Sequence, residues 1–313
     1  MINLNKKKIL ITGAHGFLGK HLVEQLLKNG VSKKNLYLPT YQELDLRQWG
    51  NCQKAVKNQD IVIHLAAKVG GIGFNQAAPG ELFFDNAIMG IHLIETARKA
   101  KIEKFVALGT ICCYPKFTPV PFKENDLWNG YPEETNAPYG LAKKMLLVQS
   151  QAYRTQYNFN SIFLMPVNMY GPGDNFDPLS SHVIPAIVKK CLDAKKENAK
   201  NITLWGTGKA TREFLYVEDA AEGIILATER YNRPNPINLG SGKEISIKEL
   251  AEIIKQLTGF KGKIIWDKTK PDGQPRRCLD VSQAKKEFNF KAKTDFKEGL
   301  KRTIKWYLEQ SKK

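Results

Sequence analysis

Two sets of residues carry chemistry by their types and spacing. The first is Gly13-Ala14-His15-Gly16-Phe17-Leu18-Gly19, with a glycine at every third position. Glycine accepts positive φ and lets a pyrophosphate approach the main chain where a Cβ would clash. Between a strand and a helix, this pattern is a dinucleotide-binding turn, and the helix N-terminus adds free N–H groups. The second set is Tyr139-Gly140-Leu141-Ala142-Lys143. Residues four apart on a helix share a face, so an ammonium stands one turn from a phenol. That cation, with an oxidised nicotinamide ring nearby, favours the phenolate. Bringing a tyrosine from ~10 towards ~7 takes about 4 kcal/mol of differential stabilisation. Such a tyrosine can exchange a proton with a sugar hydroxyl as hydride moves. Either motif alone is common; their combination carries the weight.

The elements that must position these residues can be read from the apolar pattern. Lys8–Thr12 (KILIT) is a short β-branched run, read as a buried strand, and it leads through the glycine turn into a helix over His21–Lys28. Further strands are expected at Leu36–Leu38, Asp60–Leu65 and Lys104–Leu108, with a helix over Asn86–Lys101. After another helix, Ser161–Leu164 gives one more strand. Strands alternating with helices predict an α/β fold: a Rossmann-type doubly wound parallel sheet. Past Tyr170 the texture changes, with a loop at Gly171–Asn175, an amphipathic helix over Ser181–Asp193 and a strand at Glu213–Asp219 leading into a helix. Ile237–Gly240 reads as a late return strand, and the remainder lacks a parallel-sheet signal. We therefore expect a dinucleotide-binding domain from residues 1–169 and about 212–240. A smaller, discontinuous substrate domain should comprise 170–211 and 241–313.

Composition excludes several classes. The chain has 313 residues, 42% hydrophobic and 25% charged, which is ordinary globular make-up and not that of a disordered chain. No apolar run reaches the ~18–20 residues of a membrane span, and no secretory h-region is present. A cytoplasmic protein with no membrane partner is expected. The formal charge is +17, from 48 Lys+Arg against 31 Asp+Glu. The excess is scattered lysine without interleaved aromatics, which argues against a nucleic-acid partner. The five cysteines, at 52, 112, 113, 191 and 278, fit neither a zinc spacing nor a disulfide framework. No metal site is expected.

The glycine turn and the Tyr139/Lys143 pair resemble the extended short-chain dehydrogenase/reductase family. Thr110, following the strand Lys104–Leu108, stands where that family places a hydroxyl that hydrogen-bonds the reacting oxygen. Within the family the chain is similar, nearly end to end, to the GDP-L-fucose synthases and their relatives. Distinctive shared strings are Ala67–Ile72, Thr135–Tyr139, Asp174–Asp177 with Ser181–Ala186, Arg212–Leu215 and Lys270–Arg276. The resemblance implies a homodimer or higher homo-oligomer acting on a GDP-linked sugar. It implies catalytic roles for Thr110, Tyr139 and Lys143, and an epimerising acid/base pair at Cys112 and His182. Protons α to a ketone are acidic enough for a thiolate or imidazole to remove, so the pair makes chemical sense. The implied dinucleotide site comprises Gly13, His15, Gly16, Phe17, Leu18, Gly19, Asp45, Leu46, Leu65, Ala66 and Ala67, together with Tyr139 and Lys143. The implied sugar-nucleotide site comprises Asn168, His182, Val183, Lys190, Trp205, Arg212 and Lys270.

Cofactor choice is where the chain departs from its relatives. NADPH-using members carry arginines in the glycine loop and after the second strand; here those places hold His15 and Leu38-Pro39-Thr40-Tyr41. No Asp or Glu ends that strand to take a ribose hydroxyl. Lys33 and Lys34, just ahead of it, are the available alternative phosphate ligands. The absence of arginine favours NAD(H), with NADP(H) as the alternative. The expected activity is C4 redox chemistry on a GDP-linked manno-type sugar, hexose or heptose. The alternatives are an NADPH-dependent 3,5-epimerase/4-reductase and a non-catalytic cofactor-binding scaffold.

Overall fold

In the computed structural model, which describes residues 1–178, 180–270 and 272–311, strands and helices alternate through the first half. They run β1 (Ile9–Thr12), α1 (Phe17–Lys28), β2 (Leu36–Tyr37), α2 (Trp49–Val56), β3 (Ile61–His64) and α3 (Ile72–Ala77). Next come α4 (Pro79–Lys99), β4 (Lys104–Leu108), α5 (Ala137–Tyr157), β5 (Ser161–Pro166) and β6 (Asn168–Tyr170). The middle holds α6 (Val183–Lys196), β7 (Asn201–Trp205), β8 (Thr211–Tyr216), α7 (Val217–Arg230) and β9 (Ile237–Leu239). The chain ends with β10 (Glu244–Ser246), α8 (Ile247–Thr258), β11 (Lys263–Asp267), α9 (Ser282–Phe288) and α10 (Phe296–Gln310).

Six strands form one parallel sheet in the order β2-β1-β3-β4-β5-β9. Every residue of β1, β3, β4 and β5 is buried, as expected of a parallel sheet covered on both faces. The chain winds outward in both directions from β1 and β3. Right-handed crossovers therefore put α1 on one face and the packed pair α4 and α5 on the other. Where the winding reverses, the strand ends diverge and leave a crevice beyond their carboxyl ends. The Rossmann-type architecture expected from sequence is present, including the return strand β9.

Several boundaries differ. α4 begins at Pro79, seven residues before the expected start, because Pro at N1 costs no hydrogen bond. β8 ends at Tyr216, and Glu218 and Asp219 sit in the first turn of α7, where acidic side chains oppose the helix dipole. β8 also lies outside the main sheet, between β10 and β6. The parallel pair β7–β11 was not expected; β11 is five residues long and only half-buried, so its pattern is weak.

Two hydrophobic clusters form. One surrounds the main sheet, and it also takes Leu279, Ala284, Phe288 and Phe290 from the stretch assigned by sequence to the second unit. The other joins Tyr170, Ile187 and Val188 to Phe214, Leu250, Ile254, Leu300 and Ile304. Two buried charges tie segments together. Lys104 Nζ donates to Thr228 O and Tyr231 O at the end of α7. Glu213 accepts from Gly242 N at 2.6 Å and from Leu279 N at 2.6 Å.

Candidate active site

A cleft of about 1010 Å³ opens at the carboxyl ends of the main sheet and runs towards β8 and the loop before α9. Its floor starts at the glycine turn. Gly13 has φ +73°, and a Cβ there would stand 2.8 Å from Ala66 N. A Cβ on Gly19 would reach 2.2 Å from Gly13 O, so only glycine lets the helix start this close to the strand. Beneath the turn, Thr12 Oγ1 bonds His64 Nδ1 at 2.8 Å and accepts from Ala66 N at 3.3 Å. This links β1 to the loop after β3. Burial pushes His64 down to about 3, keeping a positive charge out of the floor.

The central wall is built by α5 and the turn after β4. Gly140 allows the contact, since a Cβ would lie 2.3 Å from Cys112 O. Cys113 Sγ also bonds Gly140 O at 3.3 Å. Tyr139 is thereby brought to the same wall as Thr110 and Cys112. Thr110 Oγ1 accepts from Cys112 N at 3.2 Å, which leaves its own proton free to donate. Lys143 is 2% exposed, and burial lowers its ammonium to about 8. At Tyr139 burial dominates. Burial, with Cys112 and Cys113 adding to it, pushes its phenol up, so the cofactor-free cleft holds the protonated form. Lys143 does not by itself outweigh desolvation.

Facing this wall, His182 immediately precedes α6 and lines the cleft, and the surrounding protein lowers its imidazole from the usual value. Asp174, in the loop after β6, is 7% exposed. One of its oxygens accepts from Asn175 N at 2.7 Å; the other is buried without a partner among the described residues. Burial raises this carboxyl to about 7.

At the end beside β8 stand two arginines. Arg212 donates to Thr211 O, Gln274 O and Asp272 O at 2.6–3.1 Å. Arg277, 8% exposed, donates to Gln274 Oε1 at 2.7 Å and points Nη1 at Cys112 Sγ, 3.7 Å away. Among the described residues neither forms an ion pair, and burial plus the like charge of Arg277 lowers Arg212 to about 10. The Glu133 carboxylate on the same wall gives its oxygens to Thr135 and Asn136. At the opposite end, beside β2, Arg47 lines the cleft and is bound by Asp45 and Asp85.

Seventeen of the expected positions line one cleft: Gly13, His15, Gly16, Phe17, Leu18, Gly19, Leu46, Leu65, Ala66, Ala67, Thr110, Cys112, Tyr139, Lys143, Asn168, His182 and Arg212. Five do not. Asp45 lies behind Arg47. Val183 opens α6 away from the wall, and Lys190 Nζ donates to Thr203 O on the outer face of β7. Trp205 is 56% exposed on that same face, with Lys270 Nζ 5.5 Å from its ring centre. Arg277 takes the place on the wall that Lys270 was expected to fill; the string Lys270–Arg276 stops one residue short of it, and its Pro271 lies outside the described residues. Lys33 and Lys34 precede β2, at the end opposite the glycine turn, and do not reach the cleft.

Residues 9–240 match the NAD dependent epimerase/dehydratase family. The chain belongs to this family. It is a nicotinamide-dependent enzyme of the oxidoreductase class, and the glycine turn, open cleft and Tyr139/Lys143 wall fit that cofactor. The chain is 39% identical over 304 residues to GDP-L-fucose synthase 1 of Arabidopsis thaliana, covering 96% of this chain and 93% of that protein. Among solved structures, it is similar to a GDP-6-OMe-4-keto-L-xylo-heptose reductase from C. jejuni, with TM-score 0.90 and 28% identity over 98% and 99% of the two chains. It is also similar to a GDP-mannoheptose C4 reductase from Campylobacter jejuni with NADP bound, with TM-score 0.88 and 29% identity over 98% and 100% of the two chains.

Proposed function

We propose that the chain is an NAD(H)-dependent oxidoreductase acting at C4 of a GDP-linked manno-type sugar, hexose or heptose. The observation that carries the substrate class is the pair Arg212 and Arg277. A buried guanidinium (Arg277) and a half-buried one (Arg212) stand side by side, hydrogen-bonded only to neutral oxygens and a thiol, with Glu133 and Asp272 near but not paired to them. They suit an anion, and a nucleoside diphosphate brings about two negative charges. Relatives named for GDP-sugars support this reading.

When bound, the reduced nicotinamide supplies hydride to the C4 carbonyl carbon. Tyr139 Oη hands its proton to the C4 oxygen, completing the hydroxyl. Burial holds the phenol in the donating form, which suits reduction. Lys143, cationic below about pH 8, stabilises the phenolate left behind until water reprotonates it. Thr110, its lone pair occupied by Cys112 N, donates to the same C4 oxygen. We take NAD(H) over NADP(H) because His15, Pro39 and Tyr41 stand where phosphate-binding arginines would be.

A second reading, an NADPH-dependent 3,5-epimerase/4-reductase, is favoured by Cys112 and His182 lining the same cleft as Tyr139. Mass spectrometry of the co-purifying dinucleotide, then turnover on a panel of 4-keto GDP-sugars in D₂O, separates the two. Reduction without deuterium at the flanking carbons supports the first reading, and deuterium at both with NADPH supports the second. Turnover with UDP-sugars but no GDP-sugar contradicts both.

A further inference from the structure

We propose that Asp45 decides which dinucleotide the cleft accepts, by gripping Arg47 and so masking a guanidinium that would otherwise receive a 2′-phosphate. The inference rests on the nicotinamide dinucleotide lying with its adenosine end beside β2, and it names the residue behind the proposed NAD(H) preference.

The sequence places no arginine in the glycine loop or directly after β2, but the structure delivers one from further along. Arg47 lines the cleft beside Pro39, Thr40 and Tyr41, and its Nη2 donates to Tyr41 Oη. Its Cζ stands 5.6 Å from the Tyr41 ring centre. This guanidinium is already committed. Nε donates to both oxygens of Asp45, at 3.0 and 3.1 Å, and Nη2 reaches Asp45 Oδ2 at 2.8 Å. Nη1 donates to Asp85 Oδ1 at 3.3 Å. The second oxygen of Asp85 accepts from Lys68 Nζ at 3.1 Å, and Lys68 also pairs with Glu81. Close by, Glu43 accepts from Thr40 N at 2.7 Å and from the Thr40 hydroxyl at 2.9 Å.

The charges can be counted. Arg47 and Lys68 are positive, while Asp45, Asp85, Glu81 and Glu43 are negative, so these six carry 2 − 4 = −2. A phosphate monoester brings nearly two more negative charges. Arginine grips a phosphate through two parallel N–H groups of its planar fork. Here the Nε/Nη2 edge is spent on a carboxylate of the same shape. A 2′-phosphate would have to displace Asp45 within a net negative surround, whereas a 2′-hydroxyl is neutral and displaces nothing.

Asp45→Asn keeps the side-chain shape and removes the charge. Calorimetric titrations of NADH and NADPH into wild type, Asp45→Asn and Asp45→Asn/Arg47→Met give the ratio of the two affinities, in which any contact to adenine cancels. Wild type should bind NADH at least about tenfold more tightly than NADPH. Asp45→Asn should close that gap by about tenfold, and adding Arg47→Met should reopen it. If Asp45→Asn proves unfolded by thermal melting, Asp85→Asn, which frees the other edge of the fork, should narrow the gap in the same direction. An unchanged ratio in a folded Asp45→Asn protein overturns the masking while leaving the NAD(H) preference intact. Wild type preferring NADPH, with the preference lost in Arg47→Met, overturns both, because Arg47 would then bind phosphate despite its partners.

Discussion

The two ends of the cleft hold arginine in opposite electrostatic situations. Beside β2, Arg47 is bound by two carboxylates and is one-third exposed. Beside β8, Arg212 and Arg277 are more deeply set and are held by carbonyls, an amide oxygen and a sulfur, none of which cancels their charge. A paired guanidinium has its directional bonds satisfied and offers little to an incoming anion. One without an ion pair, partly desolvated and beside a second cation, has Asp272 and Glu133 only at a distance and gains most when an anion arrives. Residue type alone therefore does not mark a phosphate site; the partners do.

The largest effect should come from the wall between the two ends. Tyr139→Phe should lower turnover about 10²–10⁴-fold while cofactor and GDP titrations stay near wild type. Weakened binding at either end would mean that Tyr139 shapes the cleft as well as moving a proton.

Arg212→Met removes charge-assisted bonds worth ~1.5–3 kcal/mol and should weaken GDP about 10–100-fold. Arg277→Met should do the same and also change the surroundings of Cys112. Deuterium exchange at carbons flanking a 4-keto group would report that second effect separately.

Asp174 is the acidic counterpart of these arginines, a buried carboxyl without a cationic partner among the described residues. Its folded pKa of about 7 lies above the ordinary carboxyl value. The folded state thus binds the proton more tightly, and this residue's contribution to stability is lost as pH rises from about 4 to 7. Asp174→Asn should raise the melting temperature at pH 8, by an amount on the order of 2–4 kcal/mol of stability, and change it little at pH 4. Equal shifts at both pH values would show that folding leaves the Asp174 pKa unchanged, and a lowered melting temperature at pH 8 would show that Asp174 is ionised and paired in the native state.

Sequence reading located the Rossmann sheet and most of the residues lining the wall and floor of the candidate cleft because those features are local. Gly13, Gly16 and Gly19 lie within one turn, and Tyr139 and Lys143 lie on one helix. It missed what depends on distant segments meeting. Arg47 reaches the cleft because the loop after β2 folds back towards Tyr41, and nothing in the glycine-loop pattern announces that. Arg277 is the second of two adjacent arginines; Arg276 pairs with Glu244 at the surface while Arg277 turns inward, a choice set by Gln274 and not by residue type. Lys190, Trp205 and Lys270 share the outer face of β7, a placement fixed by the unexpected β7–β11 pairing. At Tyr139 burial raises the phenol in the cofactor-free cleft, while the expected phenolate concerns the cleft with an oxidised nicotinamide beside Lys143.

The smallest effect is also the sharpest control on the central claim that partners, and not residue type, decide which arginine binds the substrate diphosphate. Calorimetric titration of GDP into wild type, Arg212→Met and Arg47→Met tests it directly. The account predicts at least about tenfold weaker GDP binding in Arg212→Met and an affinity within about twofold of wild type in Arg47→Met. Comparable losses in the two variants, or a loss confined to Arg47→Met, would contradict it.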